Sequence, residues 1–384
     1  MNKQIYCTAP WNGLTIRENG DVKTCCAGAR TLGNLNFVSI REIENSLELK
    51  NIQQGMLDGT PDYENCKLCV DSEKISGYAT LRDHYNRWYP DTNDNQLFLK
   101  FIDIRWNNVC NLACMYCNST FSSTWADRLP DNKKNQPVKQ YQDELLSWIL
   151  ERASHVNEIM LVGGEPMLMK QNYELLRQLP KDCKISIITN LSYDLANNPA
   201  LPFLLDRDPD KVNWNVSIEN TGQKFEYVRT GSNWLQTKKN FELLVKHWPN
   251  TVTLNMVYSV FSAFDIADTI KHFHYAGVKK FNLFNVNENE PISVFKMPSK
   301  VKKVALDQLK LAHQCHIDSL HPEDRDLYPW QGIESLMSAL ENPEFNLISF
   351  EEFEKKIVWY DQWSKTKFYD LWPDVYNLIR SSLK

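Results

Sequence analysis

No apolar run in this 384-residue chain reaches the length of a membrane span, and no low-complexity tract or clear internal repeat interrupts it. The start, Met1-Asn2-Lys3-Gln4, is polar and does not read as a secretory leader, so a reducing cytoplasmic location is expected. An excess of one charge sign is missing too. With 43 Lys and Arg against 48 Asp and Glu the net charge is -5, and neither nucleic acid nor a membrane is expected as a partner. What is abundant is aromatic. The 17 Phe, 16 Tyr and 12 Trp imply a well-filled core and an aromatic-lined cleft, although any single ring is expected simply to pack. Ten cysteines without a leader are expected to ligate metal rather than pair as disulfides. The length fits two or three domains, or one barrel with additions.

Three of those cysteines, Cys110, Cys114 and Cys117, stand as C-x3-C-x2-C on one short stretch. Three thiolates can hold three irons of a four-iron cluster and leave the fourth open to bind a small molecule and pass it one electron. A structural zinc ion wants four ligands, usually as two separated pairs, so this set is one ligand short and its spacing too wide. About 45 residues further on, the apolar run Glu158–Val162 ends in Gly163-Gly164-Glu165-Pro166, and an apolar-periodic segment follows. Strand, glycine turn and helix form the context in which a backbone approaches a ligand closely.

Together these motifs resemble the radical S-adenosylmethionine (SAM) superfamily. The resemblance implies a [4Fe-4S] cluster on Cys110, Cys114 and Cys117. It also implies that Gly163, Gly164, Glu165 and Pro166, after the second barrel strand, bind the SAM amino group.

From Leu97 the pattern is strand, loop, helix, repeated. Candidate strands are 97–105, 158–162, 184–189, 211–218, 251–258 and 279–285, with helices clearest at 167–179, 234–248 and 263–276. Six βα units with β-branched strands imply an α/β fold with a parallel sheet. The resemblance sharpens this to a partial (β/α)6 barrel over residues 97–290, its active loops at the strand C-terminal ends. Residues 120–157 form a long first connection with an extra helix near 143–152, and residues 291–384 read as a C-terminal helical extension.

Residues 1–96 read as a small α+β domain. A hairpin runs through Leu14–Arg17 and Val22–Cys25, with Asn19-Gly20 expected to supply its positive φ angles. A capping box at Ser39–Glu42 opens a helix through about Met56, and Asp91–Asn95 is a polar linker. Cys7, Cys25, Cys66 and Cys69 make a second constellation, able to ligate an iron–sulfur cluster or a zinc ion fully. With Gly20-x4-Cys25 and Gly33-Asn34-Leu35 it resembles a twitch or SPASM auxiliary-cluster domain, here ahead of the barrel rather than behind it. One cluster's worth of ligands fits twitch better than a two-cluster SPASM. Cys26 competes with Cys25, since neighbouring strand residues face opposite ways.

Further SAM contacts are implied at strand ends: Tyr116, Asn190, Ser217, Glu219, Arg229 on the SAM carboxylate, and Leu283 with Phe284 near adenine. Thr189-Asn190 matches a familial Thr-Asn-Gly, but Leu191 replaces the glycine, so a different turn is expected there. Cys183 and Cys315 read as buried thiols, and His313, Cys315 and His316 do not share a helix face. The resemblance implies reductive cleavage of SAM to a 5′-deoxyadenosyl radical that abstracts hydrogen from a peptide or protein side chain. An electron donor such as flavodoxin or ferredoxin and a second [4Fe-4S] cluster are implied with it. The alternatives are a small-molecule substrate such as a sugar or aminoglycoside, a glycyl-radical activating enzyme, or a non-catalytic iron–sulfur or zinc-stabilised binding protein.

Overall fold

The computed structural model describes residues 6–76, 80–90, 96–129, 140–286, 290–328, 330, 332–341 and 347–383. The expected linker 91–95 lies outside them. The chain forms two compact units, one of Met1–Cys110, Ser119–Ile188 and Pro199–Val212, the other of Asn111–Asn118, Thr189–Asn198 and Asn213–Lys384.

The first unit opens with α1 (Ala9–Asn12), the hairpin β1 (Gly13–Ile16) and β2 (Asp21–Lys23), and the short β3 (Gly33–Asn34). Of Asn19 and Gly20 only Gly20 takes positive φ, at 87°. A hydrogen bond from Gly20 N–H to the Arg17 carbonyl (2.9 Å) closes the loop, so it is a three-residue turn with its glycine last rather than a two-residue one. Ser39 and Glu42 cap each other reciprocally to start α2 (Ile40–Glu44), and Ser46 then caps a second helix, α3 (Leu47–Leu57), where one continuous helix was expected. α4 (Tyr63–Ser76) and α5 (Thr80–Trp88) follow.

Next come β4 (Phe101–Ile104), α6 (Ser123–Arg128), α7 (Gln140–Glu151), β5 (Glu158–Leu161), α8 (Lys170–Gln178), β6 (Lys184–Thr189) and α9 (Leu201–Leu205). The strands are ordered β3-β2-β1-β4-β5-β6. β4, β5 and β6 pair in parallel, and β1 pairs in parallel with β4, Thr15 opposite Asp103. The N-terminal hairpin therefore extends the sheet of the βα units. Period-two alternation sorts this sheet into two faces. Ile102, Ile104, Ile159, Leu161, Ile185 and Ile187, each 0% exposed, occupy one. Phe101, Asp103, Glu158, Met160, Lys184 and Ser186 point the other way.

The second unit holds β7 (Val212–Ser217), α10 (Gly222–Val228), α11 (Trp234–His247), β8 (Val252–Tyr258), α12 (Ile266–Tyr275) and β9 (Lys280–Asn285). Its strands are parallel in the order β7-β8-β9. The expected C-terminal helices are α13 (Ser299–Ser319), α14 (Ile333–Glu341), α15 (Phe350–Asp361), α16 (Phe368–Leu371) and α17 (Pro373–Leu383). They are anchored by aromatics: Phe261 meets Tyr360, Phe368 and Trp372 at 5.7–6.0 Å between ring centroids. The Tyr227 hydroxyl donates to Asp361 Oδ1 (2.8 Å). With β4–β9 alternating with helices, the fold is α/β and mostly parallel, consistent with a partial barrel.

A different turn after β6 was expected from Leu191, which stands where the resemblance places a glycine. Leu191 takes φ 55° itself, in the left-handed region that a glycine would use. Its N–H donates to Thr189 Oγ1 (2.9 Å), its carbonyl accepts from Asn240 Nδ2 (2.9 Å), and its side chain is fully buried. Burial of the leucine outweighs the backbone strain. Leu191→Ala should therefore cost about 3 kcal/mol. Leu191→Gly, although smaller, should be milder by about 1 kcal/mol because it relieves the strain. Urea midpoints at constant m measure both, and a glycine variant no more stable than the alanine one would refute the left-handed turn.

Candidate metal centres

Cys7, Cys25, Cys66 and Cys69 line one pocket in the first unit, together with Met56, Asn65, Arg82 and Tyr85. α4 presents Cys66 and Cys69 from one turn, and Cys25 follows the hairpin that Gly20 closes. Cys26 is absent from the lining; its thiol feels Asp103, Arg105 and Arg17 instead. Without a metal, burial holds Cys7, Cys25 and Cys66 in the neutral thiol form and penalises the thiolate. Burial, and then the neighbouring thiols, push Cys7 up to about 12, and burial and Cys69 push Cys66 up to about 11. A cationic centre reverses that penalty, because bound thiols are deprotonated outright. Four thiolates on one zinc ion converge at about 2.3 Å from a single point. Four cysteines around one pocket supply the four thiolates that an iron–sulfur cluster takes.

The C-x3-C-x2-C loop is shared between the units, with Cys110 in the first and Cys114 and Cys117 in the second. Around Cys110, the backbone N–H donates to Ser123 Oγ (3.1 Å), and the carbonyl accepts from Thr124 Oγ1 (2.7 Å). The residues just before it carry the glycine turn. Glu165 N–H donates to the Val109 carbonyl (2.7 Å). A Cβ on Gly164 would stand 2.2 Å from the Val109 oxygen and 2.6 Å from that of Asn108. Gly163 has φ 115°. Only two glycines let the turn sit there. Glu165 is 0% exposed and accepts from Met167 N–H (3.2 Å), while Pro166 opens the short 3-10 turn Pro166–Leu168.

In the second unit the loop runs along the end of α10. Ala113 and Met115 N–H donate to the carbonyls of Thr230 and Val228, both at 2.9 Å, and Cys117 N–H donates to the Cys114 carbonyl (3.0 Å). Arg229, from the same segment, is buried. Its Nε and Nη2 donate to the two oxygens of Glu219 (2.8 and 2.6 Å), and its Nη1 lies 3.7 Å from Cys114 Sγ. Its guanidinium also stands 5.6 Å from the Tyr116 ring. Burial lowers its pKa, but the Glu219 carboxylate, with Tyr116 and Cys114, outweighs that and holds it well above the ordinary value. A fixed cation beside Cys114 favours thiolate, as a cluster ligand requires.

The other residues read from the sequence are more dispersed. Asn190 donates to Asn111 Oδ1 (2.9 Å), so it orients the cysteine loop. Ser217 ends β7 opposite Asn255, and Leu283 lies on β9 opposite Met256. His316 meets His274 (3.0 Å) and the Tyr328 carbonyl (2.9 Å), which accounts for it structurally. Sequence reasoning missed Asn111, Tyr85 and the pair Asp103 and Arg105. The last was detectable as two charges alternating with isoleucine in a strand.

Residues 104–273 match the family model of the radical SAM superfamily, and residues 7–70 match SPASM, an iron–sulfur cluster-binding domain. A curated relative, the probable GTP 3′,8-cyclase of Methanococcus aeolicus, is 24% identical over 259 residues, covering 64% of this chain and 79% of that protein. Two solved structures are also similar. Native anSMEcpe with bound AdoMet has 18% identity, a TM-score of 0.41 and coverage of 55% of this chain and 58% of that one. Streptococcus suis SuiB bound to the precursor peptide SuiA has 18% identity, a TM-score of 0.37 and coverage of 49% and 39%.

The glycine turn gives a direct test. Gly164→Ala forces a methyl onto the Val109 carbonyl and should displace the backbone leading into Cys110. Iron bound per chain after anaerobic loading should fall by about half, the auxiliary share remaining. Full iron loading of a folded Gly164→Ala protein would show that the close approach is dispensable.

Proposed function

From the match of residues 104–273 to the radical SAM superfamily model and of residues 7–70 to the iron–sulfur SPASM domain, we propose that this chain cleaves SAM reductively to drive hydrogen abstraction from a substrate. Cys110, Cys114 and Cys117 would hold the SAM-binding [4Fe-4S] cluster, and Cys7, Cys25, Cys66 and Cys69 the auxiliary one. When bound, the first cluster and SAM supply one electron and a 5′-deoxyadenosyl radical. The observation that carries the reading is the seat of Gly164 on the Val109 and Asn108 carbonyls, which joins the two superfamily motifs within one unit.

The residues then divide the work. Glu165, buried, offers a carboxylate to the SAM ammonium, a cation that needs an acceptor once it leaves water. Arg229 holds its charge beside Cys114, and Glu219 fixes its orientation with two hydrogen bonds. With Nε and one N–H of Nη2 on Glu219 and Nη1 facing Cys114 Sγ, Arg229 keeps its remaining Nη N–H groups for a further acceptor such as the SAM carboxylate. Asn190 orients the loop through Asn111.

For substrate we propose a peptide or protein side chain, the class that resemblance to auxiliary-cluster enzymes implies, with a flavodoxin- or ferredoxin-like electron donor. A small molecule of nucleotide type is the second reading, favoured by the 24% identity to the probable GTP cyclase.

Anaerobically loaded protein should carry about eight irons per chain, and replacing Cys110, Cys114 and Cys117 by Ala should remove about half and abolish 5′-deoxyadenosine formation. About four irons with one equivalent of zinc in the native protein would overturn the auxiliary cluster. Glu165→Ala should keep its iron and visible absorbance while SAM affinity weakens at least tenfold, the loss expected for a buried charge-assisted hydrogen bond. Equal SAM affinity in a fully loaded variant would put the amine elsewhere.

A further inference from the structure

β4 and the residue after it read Phe101-Ile102-Asp103-Ile104-Arg105, and alternation puts Asp103 and Arg105 on the face of Phe101. Phe101 there packs with Tyr85 and Tyr89 in a cluster against which Cys7, Cys25 and Met160 lie. Asp103 stands between Thr15 of β1 and Met160 of β5. Asp103 is 2% exposed and Thr15 0%.

Arg105 Nη2 donates to Asp103 Oδ2 at 3.2 Å. The remaining ends of this group are unmatched. Asp103 Oδ1, Arg105 Nη1 and Thr15 Oγ1 are buried without a hydrogen-bond partner among the described residues, and Glu18 Oε2, which also lacks one, faces Arg17 Nε at 3.9 Å. Buried polar atoms are nearly always paired, and several orphans in one place ask for a ligand or ordered water. The charges cancel, with Asp103 and Glu18 against Arg105 and Arg17, so the group suits a neutral guest. That guest must offer a donor and an acceptor side by side.

The position is as telling as the chemistry. A Cβ on Gly163 would lie 3.5 Å from Arg105 Cβ, so Arg105 borders the turn assigned to SAM. On the other side, Phe101, two residues along the same face, belongs to the aromatic cluster against which Cys7 and Cys25 of the auxiliary set pack. A guest here would sit beside both.

We propose that Asp103, Arg105 and Thr15 form a substrate subsite that grips the backbone of an extended peptide, Asp103 accepting an N–H and Arg105 donating to a C=O. One residue of an extended chain presents both groups on the same side, as it does to a neighbouring strand. The inference rests on the proposed peptide substrate.

The test uses iron-loaded full-length protein and saturation-transfer NMR with two probes, a panel of N-acetyl dipeptide amides and the nucleosides uridine and guanosine, whose base edges carry the same adjacent donor and acceptor. At least one capped dipeptide should bind, and Asp103→Asn and Arg105→Met should weaken it at least tenfold at unchanged iron content. Thr15→Val, nearly isosteric, should weaken it measurably and serves if the other two fail to fold. Dipeptides that bind wild type and variants equally would overturn the subsite and leave the peptide reading standing. Binding of nucleosides alone, lost in the variants, would support the subsite and overturn the peptide reading. Binding of neither probe would overturn the subsite.

Discussion

The account depends on one close approach, that of the Gly164 backbone to the Val109 and Asn108 carbonyls. Nothing larger than hydrogen fits there, since a methyl would reach 2.2 Å from an oxygen. That contact, with the hydrogen bond from Glu165 N–H to Val109, ties the turn after β5 to the backbone leading into Cys110. A glycine pair with one residue at positive φ is what allows a polar turn to be set so tightly, and Glu165 is buried as a consequence. The two motifs are thus one piece of architecture.

The second unit treats its share of the loop by similar means. Backbone hydrogen bonds to Val228 and Thr230 lay residues 113–115 along the end of α10, and the intervening Arg229 turns to Cys114 and Glu219. A buried guanidinium that keeps its charge is costly unless paired, and Glu219 supplies the pair. The site's electrostatics therefore rest on a Glu–Arg couple fixed by the fold.

Much of this was legible in the sequence because the signals were local. Cysteine spacing, the Gly-Gly-Glu-Pro turn, the Ser39–Glu42 capping box and the β-branched strands each declare themselves within a few residues. Three features were not. The parallel pairing of β1 with β4 joins residues far apart in the chain, and no local pattern announces it. Leu191 in the left-handed region looked like a broken motif, because propensity disfavours it and only its burial against the fold explains it. Asp103 and Arg105 drew no reading from the sequence, since nothing local to a strand says that a charge such as Asp103 is 2% exposed. The Gly20-x4-Cys25 spacing favoured Cys25 over its neighbour Cys26, and Cys25, not Cys26, lines the pocket.

The central claim is that the loop of Cys110, Cys114 and Cys117 leaves one iron open for the SAM amine and carboxylate beside Gly164 and Glu165. Pulsed electron paramagnetic resonance of the reduced, iron-loaded protein with SAM labelled by 15N at the amine and 17O at the carboxylate reads this directly. The account requires hyperfine coupling from both labels to a single reduced cluster, present in wild type and lost when the three cysteines are replaced. A reduced cluster whose spectrum is unchanged by SAM, with coupling from neither label, would contradict it.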